Sequence, residues 1–155
     1  MAKKSVLLLA AAAVLLCTIG IPLAEGAEGN VWQTQVLTKL REMSLLLNLG
    51  DVTSSYQPFT GNLRHNTYTD VDYTLRRGVP YALVGLCDDD CSDLDLQLYD
   101  ENYRLIDSDV QPDATPVIKV TPRWTGVFHV RVIMSTCSKS PCWYGLGEFE
   151  PATSF

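Results

Sequence analysis

Five carboxylates fall within eight residues near the middle of the chain, in the segment CDDDCSDLDL, and all could bind a cation. Calcium takes about six to eight oxygen ligands, and carboxylates this close repel one another unless a cation lies between them. The spacing therefore predicts a calcium site. Its predicted ligands are Asp88, Asp90, Asp93 and Asp95, with Asp89 in the same run.

The acidic segment also has interpretations that need no ion. It is not an EF-hand loop: counted from Asp88, Asp93 stands where that loop requires glycine and Tyr99 where it requires glutamate. A solvated acidic turn is equally compatible with the pattern, and acids at a sheet edge oppose aggregation between strands. Asp107 and Asp109 would support a cation only if their turn folded back beside this loop.

Two pairs of cysteines flank short spacers, at Cys87 and Cys91 and at Cys137 and Cys142. An even number of cysteines in an exported chain indicates disulfides, and zinc is disfavoured because no histidine lies near either pair. Short spacers make the local pairs Cys87–Cys91 and Cys137–Cys142 geometrically easy. Both turns are expected at the same end of the fold, so a cross-link between the two turns is the alternative.

Residues 1–26 have the layout of a secretory signal peptide. Lys3 and Lys4 precede an apolar run from Val6 to about Leu16, and small residues follow near Gly26. The run is too short for a membrane span, and no second apolar stretch follows. The sequence therefore predicts a secreted or periplasmic protein, with about 130 residues remaining after cleavage as one domain.

Charge and motif content exclude several classes of function. The chain has 18 acidic against 12 basic residues and no basic cluster, which argues against binding to nucleic acid or anionic membranes. His65 lies in a polar turn and His129 on the outward side of a strand, and neither HExxH nor GxSxG occurs. The sequence predicts that the protein is not an enzyme.

Aromatic residues supply a second binding hypothesis. A flat aromatic platform could bind sugar rings or the side chains of a protein partner, although core packing explains many aromatics in a β-protein equally well. Trp124 is expected to be exposed because it lies in the polar turn PRWTG, and Trp32 is the second predicted contact. The other candidates are Trp143, Tyr99, Tyr103 and Tyr144.

The elements that position these residues are one helix and a series of strands. Apolar residues recur every three or four positions over residues 30–50, which predicts an amphipathic helix capped by Asn30 and ended by Gly50. This helix packs either on its own domain or on a partner. Its predicted apolar positions are Trp32, Val36, Leu37, Leu40, Met43, Leu46, Leu47 and Leu49.

After Gly50 the apolar period changes to two, with turn residues every eight to twelve positions. Seven or eight short strands without intervening helices favour a mainly β protein, an antiparallel β-sandwich preceded by one helix. The clearest alternating segments are Thr69–Leu75, Leu94–Leu98 and Phe128–Met134, and further strands are predicted at Val79–Leu86, Arg104–Asp107, Thr115–Thr121 and Trp143–Phe149.

From about Tyr68 to Phe149 the chain resembles the bacterial pre-peptidase C-terminal domain. The similar features are the strand ending near Cys87, the DLDL strand start, the Asp-rich turn near Asp107, and the TGVF entry into a long strand. The resemblance implies a jelly-roll β-sandwich over residues 56–150. It also implies an accessory role beside an enzyme and, in some members, calcium-assisted binding to a polymer. This chain contains no recognisable protease segment.

We therefore expect an exported, non-catalytic binding or accessory module that acts through its loop end or its helix. The partner is expected to be a protein or a polysaccharide, and no cofactor other than calcium is expected. The alternative is a structural subunit of a larger envelope or extracellular assembly, docked through the N-terminal helix.

Export gives the first prediction. Mass spectrometry of the exported protein is expected to find a mature start between Glu25 and Glu28, where small residues fit signal-peptidase cleavage. A full-length product that keeps Met1 and stays in the cytosol would contradict it.

Overall fold

A computed structural model describes residues 26–49 and 58–150, with side chains from residue 31 onward. The predicted signal peptide up to residue 25 lies outside the described residues. The described residues form one helix, α1 at Gly26–Leu46, and eight strands. The strands are β1 Phe59–Leu63, β2 Thr67–Leu75, β3 Tyr81–Cys87, β4 Cys91–Tyr99, β5 Leu105–Asp109, β6 Val117–Val120, β7 Gly126–Cys137 and β8 Cys142–Phe149.

The strands form two four-stranded antiparallel sheets. The back sheet has the order β1-β8-β3-β6, and the front sheet has the order β2-β7-β4-β5. Two packed sheets of eight strands with this crossover order form a jelly roll. The predicted fold class, a mainly β sandwich preceded by one helix, is confirmed.

Alternation along the strands creates the core between the sheets. In β4, Leu94, Leu96 and Leu98 are fully buried, while the residues between them are partly exposed. Strand β7 alternates in the same way, with Phe128 and Val130 facing inward. A one-residue slip would turn the whole apolar set toward solvent, so burial fixes the register of both strands.

Helix α1 covers the outer face of the back sheet. Val36 and Leu40 are fully buried and belong to a second apolar cluster with Ala82, Val84 and Phe149. Every residue of β3, YALVGLC, is buried, because the core covers one face of this strand and α1 the other. The helix thus packs on its own domain, which was one of the two predicted arrangements.

Glycines in β8 make room for this helix. A Cβ atom at Gly145 would overlap the side chain of Val36 and lie 2.8 Å from Leu40 Cδ1. A Cβ at Gly147 would lie 2.6 Å from the Phe149 ring. The segment WYGLGEF therefore lets α1 approach the sheet closely.

The helix boundaries differ from those predicted. The helix already begins at Gly26, so Asn30 lies inside it and does not cap it. It ends earlier than predicted because Asn48 takes the left-handed conformation, with φ of 52°. The Asn48 amide donates to Leu45 O at 3.2 Å and the Leu49 amide to Ser44 O at 2.9 Å, the two bonds of a Schellman cap. The predicted terminator Gly50 lies outside the described residues.

Strand β1, FTGNL, was not predicted from the sequence, because it carries no apolar alternation. This edge strand pairs with β8, and Gly61 lies opposite Tyr144. A Cβ at Gly61 would lie 2.8 Å from the Tyr144 hydroxyl, so the glycine that weakens the strand pattern is needed for packing.

The cysteines pair locally as predicted, Cys87 with Cys91 and Cys137 with Cys142, each with a Cα–Cα distance of 5.9 Å. Cys91 and Cys137 are register partners, so both disulfides lie at the same end of the sandwich. The two connections are not hairpins, because each joins a strand of one sheet to a strand of the other. Each disulfide therefore connects the back sheet to the front sheet.

The close approach of α1 to β8 gives the second prediction. Gly145→Ala is expected to lower the free energy of unfolding by about 1–3 kcal/mol, because the added methyl overpacks the contact with Val36. Urea unfolding followed by fluorescence measures the change. In a Val36→Ala background the added methyl finds space, so the same substitution should cost clearly less there. An equal cost in both backgrounds would contradict the packing explanation.

Candidate functional site

The outer face of the front sheet carries the most concentrated set of functional side chains. Strand β7 lies inside this sheet, between β2 and β4. Because Phe128 and Val130 point into the core, His129 and Arg131 point outward. The register places Asp70 of β2 opposite Arg131 and Asp72 opposite His129. Two acids and two basic side chains thus meet in cross-strand pairs.

Arg131 is held by a bidentate ion pair and two aromatic rings. Its Nε donates to Asp70 Oδ1 at 2.8 Å and its Nη2 to Asp70 Oδ2 at 3.0 Å. Its guanidinium carbon lies 4.2 Å from the ring centroid of Tyr68 and 5.1 Å from that of Tyr99. Hydrogen bonding to Asp70 raises the pKa of Arg131 above its already high ordinary value. The guanidinium therefore stays charged and supports both rings through cation–π contacts.

His129 supports a third ring. Its Nδ1 lies 2.6 Å from Asp72 Oδ1, and its imidazole stacks on the ring of Tyr103 with centroids 4.2 Å apart and planes at 5°. Tyr103 in turn lies against Tyr99, at 6.3 Å between centroids. The three tyrosines and the two basic side chains are therefore connected through direct ring contacts.

Tyr103 has an unusual backbone conformation, with φ of 57°. It lies in the β4–β5 hairpin turn, where its amide donates to Asp100 O at 3.0 Å and Asp100 Oδ1 accepts the amides of Asn102 and Arg104. In such a three-residue hairpin loop the left-handed position is usually glycine. A bulky residue there stores strain, and strained residues cluster at functional sites.

Trp124 lies in the β6–β7 connection, next to the β4–β5 turn. Its indole stacks on Phe128 with centroids 5.2 Å apart, and its Nε1 donates to Glu101 at 3.1 Å. The side chain is 37% exposed, as its position in a polar turn predicts. We call the set Tyr68, Tyr99, Tyr103, Trp124, His129 and Arg131 the aromatic face.

Two rings of the aromatic face are open to solvent. Tyr68 is 58% exposed and Tyr103 is 54% exposed, although one ring surface of each is covered by a side chain of β7. Tyr68 is the register partner of Ile133, four residues along β7 from His129. At about 3.3 Å per residue, Ile133 and His129 are spaced by ~13 Å along β7.

The six aromatics proposed from the sequence do not form one platform. Tyr99 and Tyr103 belong to β4 and the β4–β5 turn of the front sheet, and Trp124 of the β6–β7 connection reaches that turn through Glu101. Trp32 is half-buried on α1, and Trp143 packs against the helix cluster. Tyr144 lies in the core, where burial raises its pKa to about 12. Three members of the aromatic face, Tyr68, His129 and Arg131, were not predicted from the sequence. The alternation that directs these residues outward can be read from the sequence, but the pairing of β2 with β7 cannot.

The acidic loop is built into the fold. Asp88 is 3% exposed, and its carboxylate accepts the Trp143 amide at 2.7 Å and the Asp90 amide at 3.2 Å. The Asp88 amide donates to Trp143 O at 3.0 Å. Burial raises the pKa of Asp88, opposed by these hydrogen bonds. This residue joins the β3–β4 connection to the start of β8.

The neighbouring acids have other partners. Asp89 forms an ion pair with Lys39 of α1 at 2.7 Å and accepts a hydrogen bond from Gln35, and the Lys39 hydrogen bond lowers its pKa. Asp90 lies 3.1 Å from the Lys139 ammonium. The loop thus attaches the helix and the β7–β8 connection to one end of the sandwich.

Asp93 and Asp95 lie in β4 of the front sheet, where both are partly exposed. The Asp95 carboxylate accepts a hydrogen bond from Ser135. Asp93 Oδ1 is buried without a hydrogen-bond partner, and burial raises the Asp93 pKa, with smaller contributions from Asp95 and Asp113.

Across residues 26–49 and 58–150, no three His, Cys, Asp or Glu side chains are arranged to hold a metal ion. Asp107 and Asp109 lie in β5, where Asp107 accepts the Ser108 amide and Asp109 the amides of Gln111 and Val117. The four predicted calcium ligands therefore do not converge, because strand alternation and the sheet change at Cys91 separate them.

Both histidines make structural contacts. His65 Nδ1 accepts the Cys137 amide at 3.3 Å beside the Cys137–Cys142 disulfide, and His129 is held by Asp72 and Tyr103.

An open groove of about 240 Å³ lies elsewhere, between α1, β3 and the β5–β6 loop. Its lining includes Met43, Leu46, Leu86 and Ala114.

No family model matches the chain, and no curated protein matches it. In the part of the chain that the structure describes, no helix combines the length and the hydrophobicity of a transmembrane span.

The two acids with raised pKa values give the third prediction. Asp88→Asn is expected to lower the free energy of unfolding by about 1–3 kcal/mol, because an amide NH₂ would face a buried backbone N–H. Asp93→Asn is expected to raise the free energy of unfolding at pH 7, because the variant buries no charge beside Asp95. Urea unfolding at several pH values measures both.

The pH dependence of the free energy of unfolding tests whether the buried charge of Asp93 causes the expected gain. A raised folded-state pKa means that the charged carboxylate costs stability above that pKa, and the cost disappears as pH falls to the unfolded value of 3.8. The advantage of Asp93→Asn should therefore vanish over this acidic range. If the variant instead loses stability in millimolar calcium but not in chelator, Asp93 binds the ion and the explanation is wrong.

Proposed function

We propose that this chain is an exported, non-catalytic binding module and that the aromatic face is its binding surface. The observation that carries the proposal is Tyr103, a bulky residue in a left-handed turn position, stacked on His129 and still 54% exposed. Folding alone would favour glycine at this position. A ligand that contacts the exposed ring explains why a tyrosine is there.

The rings are preorganised for binding. Tyr68 is supported by Arg131, which is itself fixed by two hydrogen bonds to Asp70. Ordering a free side chain at an interface costs about 0.5–1.5 kcal/mol, and rings that are already held avoid most of that cost. Tyrosine and tryptophan combine a large apolar surface with a polar group, which suits them to binding sites.

The absence of catalysis is part of the proposal. The contacts of His65 and His129 support structural roles for both imidazoles. All cysteines in the described segments form disulfides, so none of these sulfurs is a thiolate nucleophile. The two disulfides are also compatible with an oxidising extracellular or periplasmic compartment, to which the predicted signal peptide would direct the chain.

The other predicted surfaces have weaker support. At the disulfide end, Asp88, Asp89 and Asp90 have partners within the protein. The helix uses Val36 and Leu40 to pack on its own sheet. We retain the resemblance to the pre-peptidase C-terminal domain as part of the proposal, as an accessory module that binds a partner or polymer. Binding through the aromatic face requires no calcium.

The alternative of a structural subunit docked through α1 keeps one supporting observation. Leu45 is 70% exposed and Leu46 is 78% exposed, at the C-terminal end of the helix. A docked partner would cover these leucines and leave the aromatic face free. The two functions therefore require opposite sides of the molecule.

The fourth prediction tests the aromatic face. The mature protein is expected to bind at least one of a set of immobilised polymers, which includes gelatin, polylysine, cellulose, chitin and polygalacturonate. Tyr103→Gly is expected to weaken that binding about tenfold, equivalent to about 1.4 kcal/mol. The same variant should keep or gain stability, because glycine relieves the strain of the left-handed position. Retention assays and thermal unfolding measure the two effects.

Phe59→Ala is the matched control, because Phe59 is a 45% exposed aromatic of the back sheet. Its removal should leave binding unchanged. Equal loss in both variants, or full binding by Tyr103→Gly, would contradict the proposed surface. A native mass well above 17.2 kDa that falls on Leu46→Ala but not on Tyr103→Gly would favour the structural subunit instead.

A further inference from the structure

We infer that the ligand of the aromatic face is an extended, uncharged polysaccharide chain. This inference rests on the proposed function and names the ligand class for the same surface. Ring geometry, charge and the position of the rings relative to the sheet edges support it independently.

Ring geometry favours a ligand with flat apolar surfaces. Tyr68 and Tyr103 each have one ring surface covered by β7 and are still more than half exposed, so a ligand meets the opposite ring surface or the ring edge. Aromatic ring surfaces carry partial negative charge and attract the weakly positive C–H groups on the flat side of a sugar ring. The two rings pack on different residues of β7, Arg131 and His129, so a ligand that contacts both must extend along the strand, which favours a chain over a single sugar ring.

Polar groups beside the rings suit hydroxyl groups. The Asp72 carboxylate is bound to His129 but is 63% exposed, so it still has acceptor capacity for ligand hydroxyls. Gln97 is the register partner of Arg131, and the Tyr99 hydroxyl donates to its Oε1 at 2.6 Å. Sugars offer adjacent hydroxyl groups that donate and accept, which matches carboxylate, amide and phenol groups in a row.

Charge excludes an anionic polymer. The guanidinium of Arg131 is neutralised by Asp70, and Asp95 and Glu101 add further carboxylates around the face. Even with Arg104 of the β4–β5 turn counted, acids outnumber permanent cations here. Uronate or sulfate groups would be repelled. An uncharged polysaccharide avoids this repulsion.

The location of the rings disfavours an extended peptide. Peptides that bind β-proteins by strand addition pair their backbone with a sheet edge. Tyr68 lies on the edge strand β2, but its ring packs on Arg131 of β7. Arg131 and His129, which support the rings, belong to an inner strand whose edges are already paired with β2 and β4. A ligand that lies over β7 meets side chains and finds no free backbone groups to pair with. A saccharide can bind such a surface, whereas a peptide cannot add to it as a strand.

The experiment titrates the mature protein with soluble oligomers of glucose, mannose and N-acetylglucosamine by calorimetry. At least one series should bind, with affinity rising with chain length until both rings are covered. Tyr68→Ala and Tyr103→Gly should each weaken it about tenfold, and Phe59→Ala should not change it. Affinity should be equal at about 50 mM and about 500 mM salt, because an uncharged ligand has no ionic attraction to screen.

Other ligands give distinguishable results. Salt-sensitive binding of polylysine that depends on Tyr68 and Tyr103 would keep the aromatic face as a binding surface but overturn the saccharide. Tyrosine-dependent binding of gelatin with no binding of any oligosaccharide would overturn it as well. If no polymer in either panel depends on these tyrosines, both the proposed function and this inference are wrong.

Discussion

The burial of alternate residues in β7 is the constraint on which the candidate site depends. Phe128, Val130 and Val132 are buried in the core, and strand alternation therefore directs the side chains between them to the opposite side of the sheet. His129 and Arg131 must face solvent, where β2 presents Asp72 and Asp70 in register. Hydrophobic burial on one side of the sheet thus determines the electrostatic and aromatic contacts on the other.

The two sheets of the jelly roll have different surroundings. The central strands of the back sheet, β3 and β8, are buried on both sides by the core and α1, so this region serves stability, with Gly145 admitting the helix. The front sheet keeps an outer side with ion pairs and exposed rings. This asymmetry explains why β3 is continuously apolar while β4 and β7 alternate. The proposed binding surface lies on the sheet that the helix does not cover.

The acidic loop shows how a sequence cluster can separate in space. Asp88 turns inward and accepts backbone hydrogen bonds from Trp143 and Asp90, which makes it part of the architecture despite its charge. Asp89 pairs with Lys39 of the helix. After Cys91 the chain enters the other sheet, and alternation directs Asp93 to the outer side of β4. The acids thus perform different tasks, although they are neighbours in sequence.

Much of the architecture followed from the sequence alone, because the signals involved are local. Apolar periodicity indicated the helix and most strands, short spacers indicated both disulfides, and a polar turn indicated an exposed Trp124. The edge strand β1 escaped detection because its pattern is interrupted by Gly61, which serves packing against Tyr144. The helix end was misplaced because Asn48 and Gly50 are both suitable for a left-handed cap.

Only the tertiary structure decided which side chains act together. Tyr68 and Arg131 are 63 positions apart in the sequence, and they meet because β2 pairs with β7 in one register out of many. Tyr103 reaches His129 because a hairpin turn holds it at a positive φ that its residue type does not indicate. Strand order and register depend on burial summed over the whole sandwich. For that reason the sequence by itself determined a β-sandwich preceded by one helix and favoured two local disulfides. Long-range packing decided that the helix covers the back sheet and where the aromatic face lies.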